Sequence, residues 1–190
     1  MFWHITFAWF NHATFTKSYI MNLNLLAIFV AALVPMLLGF IWYHPKVLGA
    51  AWMRAAGVSE EQLKTGNMLV IFGVSFFFSL MLAFEMNTLA YHDGFVRGAL
   101  FYVTNGTLEA DPASEAGKWW AYFQNNLSDS CRTFKHGAFH GAFLGGLFLA
   151  LPMIGINGLF ERKSFKYIAI HAGYWVVCLA LMGGVVAAWK

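Results

Sequence analysis

Charge is what this chain is short of. Asp, Glu, Lys and Arg make up 11% of its 190 residues, where a soluble domain carries about a quarter. Apolar residues reach 59% and the mean hydropathy is +0.59. So little charge excludes a water-soluble globule and leaves a bilayer as the solvent for one membrane domain. The net charge is only +3 and no basic run is present, which excludes nucleic acid as a partner. Cysteine is scarce as well. Cys131 in a loop and Cys178 inside an apolar run give neither a disulfide framework nor a CxxC metal pair. A Gly-rich phosphate loop, a GxSxG nucleophile elbow and an HExxH zinc motif are all missing. The serines have no recognisable base partner, so the sequence calls for no catalytic residue and no cofactor.

What the chain does have is long apolar runs. The stretch KHGAFHGAFLGGLFLALPMIGIN contains a charge-free run long enough to cross a bilayer, which takes ~20 residues at 1.5 Å each. Gly137, Gly141 and Gly145 recur every fourth position there and form a groove on one helix face. In lipid such a groove admits a second backbone, because apolar contact alone does not drive helices together. Three more runs complete a set of spans at about 23–43, 68–90, 137–157 and 167–188. The last carries small residues, Gly173 and Gly184 among them, that complement the groove. A connector of a few residues forces the third and fourth spans to lie antiparallel. The expected fold is an all-α membrane protein, four transmembrane helices in an antiparallel bundle, spanning residues 21–190. One long loop, 91–134, separates helices 2 and 3, with a surface helix possible over 118–127.

Residues 1–20 read in two ways. They are aromatic-rich and lack the basic start and cleavage site of a signal peptide, which fits an interfacial segment. Alternatively, Met21 is the true start and the first twenty residues lie upstream of it.

Topology follows from the basic residues. The short connectors hold Lys46, Arg54, Lys64, Arg162, Lys163 and Lys166, whereas the termini offer Lys17 and Lys190. By the positive-inside rule the connectors face the cytoplasm and both termini lie outside. That divides the histidines. His44 and His171 join Trp42 and Tyr43 in a polar and aromatic cluster on the cytoplasmic side. His92, His136 and His140 lie on the outer side.

His136 and His140 are one helical turn apart, the spacing two ligands of one metal need. Glu85, inside the second span, is a functional candidate because a carboxylate is costly in lipid; a plainer reading has it snorkel to the interface. Placed beside His140 or His136, it makes a constellation of Glu85, His92, His136 and His140 that handles a proton or cation. Glu85, His136 and His140 are also candidate metal ligands. For these outer histidines the plainest reading is an inert interface position.

MNLNLLAIFVAALVPMLLGFIWYHPKVLGAAW, RTFKHGAFHG, LPMIGINGLFERKSFKYI and HAGYWVVCLALMGG resemble an uncharacterised family of small bacterial integral membrane proteins, a domain of unknown function. The most specific mark is a Trp-Tyr-X-Pro turn followed by Gly-X-X-Trp: Trp42, Tyr43, Pro45, Gly49 and Trp52. The longer central loop and the RTFKHG element look like the version found in Bacteroidetes-type bacteria. The resemblance implies a four-helix protein of the inner membrane and transfers no activity.

Three functions remain open. The first is a non-enzymatic helix-packed scaffold, accessory subunit or homo-oligomer, with the lipid bilayer and itself or another membrane protein as partners. The second is a small transporter or channel working through Glu85 and the outer histidines. The third is a metal-binding membrane protein.

Overall fold

The structure is a computed structural model that describes residues 23–104 and 111–189. The readings made for residues 1–20 fall outside that range. Among the described residues there are helices and connecting turns and no strand. Four helical stretches are long and apolar enough to cross a membrane, and they pack as an all-α bundle.

Each span starts where a short polar side chain meets an apolar run. Helix α1 (Leu25–Trp42) is capped by Asn24, whose Oδ1 accepts the Ala27 N–H at 3.0 Å. Asn67 does the same for α4 (Met68–Tyr91) through Val70 at 3.2 Å. Thr133 caps α8 (Phe134–His140) and Ser164 caps α10 (Phe165–Ala188), again at 3.2 Å. These oxygens satisfy N–H groups that the first helical turn leaves orphaned. Between α1 and α4 lie one π-helical turn (Pro45–Gly49) and the short helices α2 (Ala50–Ala56) and α3 (Glu60–Lys64). The latter begins with a reciprocal capping box between Ser59 and Gln62.

The third span is one continuous stretch, Phe134–Phe160, built of α8, a π-helical segment Gly141–Ala150 and α9 (Leu151–Phe160). It begins three residues earlier than the apolar run suggests, because Thr133 supplies the cap. That places His136 and His140 inside its first two turns.

The glycines set the tightest contact. Gly137 and Gly183 meet backbone to backbone, and Gly141 lies against the Leu179 carbonyl. A Cβ on Gly137 or Gly141 would overlap these backbone oxygens. In the π-helical segment a further glycine turns to the same partner. Gly146 faces Val176, where a Cβ would stand 2.8 Å from Cα. Gly145 lies against Leu179 and the tip of Met86. On α10, Gly184 receives the Phe134 ring and Gly173 faces the Trp42 indole of α1. The third and fourth spans therefore meet along Gly137, Gly141, Gly145 and Gly146 on one side and Gly183 and Gly184 on the other, with Gly173 serving the first span instead.

Helix α1 enters through alanines. Ala27, Ala31 and Ala32 are buried, and Met86, Met182 and Cys178 are the largest fully buried side chains. The second span is the least covered of the four, with Phe77, Phe78 and Met81 all exposed on its flank. In lipid such a flank is ordinary.

Among the described residues, the connection between the second and third spans is largely helical. It holds α5 (Asp93–Thr104), α6 (Glu115–Asn126) and α7 (Ser128–Cys131). Apolar residues in 95–103 are too few to span, but they suffice for a helix on the bundle's end.

Candidate functional site

Three imidazoles converge at one end of the bundle. His92 closes α4, and His136 and His140 stand one turn apart on α8. Ring centroids are 4.9 Å apart for His92 and His136, 4.7 Å for His92 and His140, and 4.2 Å for His136 and His140. One nitrogen from each ring lies within 4.8 Å of the other two.

Hydrogen bonding prepares these nitrogens. Nδ1 of His140 lies 3.0 Å from the His136 carbonyl oxygen. A carbonyl only accepts, so Nδ1 carries the proton and Nε2 of the neutral ring keeps its lone pair. An N–H pointed at a backbone carbonyl is how metal-bound histidines are usually oriented. Nε2 of His136 is buried and has no hydrogen-bond partner. A buried polar atom left unpaired is costly, and a ligand on that nitrogen removes the cost.

His92 reaches the site through an unfavourable backbone. It is the C-cap of α4, with φ 65° and ψ −16°. Among the described residues only His92 and Arg162 are non-glycine residues at positive φ. Glycine or asparagine usually fills such a cap. Burial, and then the neighbouring rings of His140 and His136, hold the His92 imidazole below its ordinary pKa, which favours the neutral form that binds metal.

Glu85 does not join this group. Its side chain is exposed and, among the described residues, forms no hydrogen bond or ion pair. It lies six residues before the end of α4, about 9 Å at 1.5 Å per residue, on a face turned out of the bundle. Helix phase explains the difference: Met86 and Asn87 take the inward positions, so the preceding residue points away. The constellation is His92, His136 and His140 without the carboxylate.

The cluster at Trp42, Tyr43 and His171 is a clasp. The Trp52 indole donates to His171 Nε2 at 3.0 Å. An indole N–H only donates, so the His171 proton sits on Nδ1, which faces the Tyr43 hydroxyl at 3.1 Å. Trp42 donates to the Ile170 carbonyl at 3.2 Å, and Tyr174 donates to the Pro35 carbonyl at 2.6 Å. Burial pushes the Tyr43 phenol well above its ordinary pKa, so it stays protonated. Both His171 nitrogens are engaged and neither offers a lone pair to a ligand. His44 stands apart, exposed, its Nδ1 accepting the Lys46 N–H at 3.2 Å. Trp52 and Tyr174 are the members that sequence reasoning did not place in the cluster; for Trp52 its position in the Gly-X-X-Trp mark was the available signal. Cys131 is half-buried with its thiol pKa raised by burial, which disfavours the reactive thiolate.

Residues 26–187 match the family model described as "Protein of unknown function (DUF1761)". The chain belongs to the DUF1761 family. The matched region of this DUF1761 chain contains His92, His136 and His140 and every member of the clasp. No curated protein and no solved structure matches it.

Proposed function

We propose that this DUF1761 chain is a multi-pass membrane protein that binds one transition-metal cation between His92, His136 and His140. The observation that carries the reading is the convergence of three imidazole nitrogens within 4.8 Å. The buried, unpartnered Nε2 of His136 supports it. Zinc–imidazole bonds of 2.0–2.1 Å set tetrahedral ligands roughly 3.3 Å apart, so closure around an ion asks for small ring rotations. Three neutral nitrogens and no carboxylate suit zinc, copper, nickel or cobalt over magnesium or calcium. A fourth position is left for water or a substrate group.

The glycine-packed third and fourth spans serve as the scaffold that fixes two of the three ligands. The alternative of proton or cation passage through Glu85 loses support because that carboxylate points away from the histidines. Basic residues in the short connectors favour a non-cytoplasmic position for the site, in the inner membrane of a bacterium. Labelling of a Ser164→Cys variant in intact cells tests the orientation: protection from an impermeant maleimide is expected, and external labelling would reverse it. For the site itself, the protein is purified in mild detergent and titrated with Co²⁺. A visible tetrahedral cobalt spectrum that disappears in His136→Ala supports the proposal. No spectrum, or one unaffected by the substitution, rejects it.

A further inference from the structure

Two of the three proposed ligands share one helix, and the third does not. His136 and His140 ride on α8, whose backbone is pressed against α10 through Gly137 and Gly183. His92 sits on a single left-handed joint between α4 and α5, a conformation a histidine does not choose by itself. Something else must hold that joint.

The residues on either side of it are both anchored. On one side, Tyr91 is 5% exposed and its ring lies under the Arg132 guanidinium at 4.5 Å. On the other, Asp93 is 6% exposed with both carboxylate oxygens engaged. Oδ2 accepts from Arg97 Nε at 3.0 Å, and Oδ1 accepts from Gln124 Nε2 at 2.7 Å across 31 residues of sequence. Arg97 in turn lies over the Trp120 ring at 4.2 Å. A buried carboxylate is tolerated only when paired and hydrogen-bonded in this way. The segment between the second and third spans thus grips the chain immediately before and immediately after His92.

We propose that Asp93, held by Gln124 and Arg97, is a positioning residue for the metal site: it locks the α4–α5 joint and so presents His92 to His136 and His140. The inference rests on the metal reading above and assigns a role to the helices α5 and α6 that membrane anchoring does not require. Asp93 acts through His92 and does not bind the ion.

A double-mutant cycle on the full-length protein in detergent tests this, with Zn²⁺ competed against a chromophoric chelator. Asp93→Ala is expected to weaken zinc binding 10–100-fold, the usual effect of removing a group that orients a ligand. In a His92→Gly background, where the third ligand is already gone, the same substitution is expected to change affinity less than twofold. Gln124→Ala, which leaves the buried ion pair with Arg97 in place, serves as a gentler second variant and should show the same background dependence. Equal losses in both backgrounds would show a merely structural role and overturn the proposal, as would wild-type affinity in Asp93→Ala. Absence of zinc binding by the wild-type protein would overturn the metal reading itself, and the first titration reveals that separately.

Discussion

Nδ1 of His140 points at the backbone oxygen of His136, 3.0 Å away. This one hydrogen bond fixes the tautomer and leaves the Nε2 lone pair available as the proposed ligand. His140→Asn keeps a δ-position donor for that carbonyl but has no nitrogen at the ε position. The variant is therefore expected to fold with a melting temperature near that of the wild type while losing most of its zinc affinity. Calorimetry in detergent, run with and without Zn²⁺, checks both halves. A variant that binds zinc normally would remove His140 from the ligand set.

His92→Gly separates backbone strain from ligation. Glycine adopts the left-handed cap without the cost of roughly 1–2 kcal/mol that a side chain meets there. Metal-free His92→Gly should melt at or above the wild-type temperature, and zinc should no longer raise its melting point. A residue kept at a conformational cost is explained by what it does for the site. Loss of metal-free stability in this variant would mean that the imidazole is there for packing.

The four spans and the glycine groove were legible from the sequence, because charge-free runs and a four-residue repeat of small residues report directly on helix and face. That His92, His136 and His140 lie at one end of the bundle also followed from the order of the spans. Of the two readings of Glu85 the structure fits the plainer, exposed one, because a carboxylate's position along a helix gives its depth but not its phase, and Met86 and Asn87 occupy the inward face. Helix α6 (Glu115–Asn126) matches the surface helix expected over 118–127, whereas α5 was hidden in 91–134, where a buried Asp93 depends on Gln124 far along the chain. Gly183 escaped notice beside Gly184 for the same reason as Glu85: adjacent residues on one helix differ by phase, which hydropathy does not reveal. Trp52 was quoted only as a family mark, and its indole partner became visible when α2 folded back on α10.

Stability without metal should depend on pH in a definite direction. The His92 pKa is depressed in the folded protein, first by burial and then by the two neighbouring imidazoles. Its contribution is complete above the unfolded value of about 6.5 and declines as pH falls through that range, because the unfolded chain takes up the proton more readily. The melting temperature of the metal-free protein should fall between about pH 7 and pH 5, and less steeply in His92→Asn. Identical slopes would show that His92 does not titrate differently on folding.

Gly137 tests the helix pair that carries the site. A Cβ there would overlap the Gly183 carbonyl and press on Ala187. Gly137→Ala is expected to destabilise the protein by about 1–3 kcal/mol, the usual range for overpacking. Gly73, whose added Cβ would meet nothing within 4 Å, should accept alanine with little change. Chemical or thermal unfolding of the two variants in one detergent makes the comparison. Equal behaviour would mean that the close approach does not contribute to stability.

The central claim is that one metal ion sits among three imidazoles, and native mass spectrometry of the detergent-purified protein after zinc loading tests it most directly. One zinc ion per chain is predicted for the wild type, with none retained at the same free zinc concentration by a His92→Gly, His136→Ala double variant. Zinc-free wild-type protein, or equal zinc occupancy in both proteins, would contradict it.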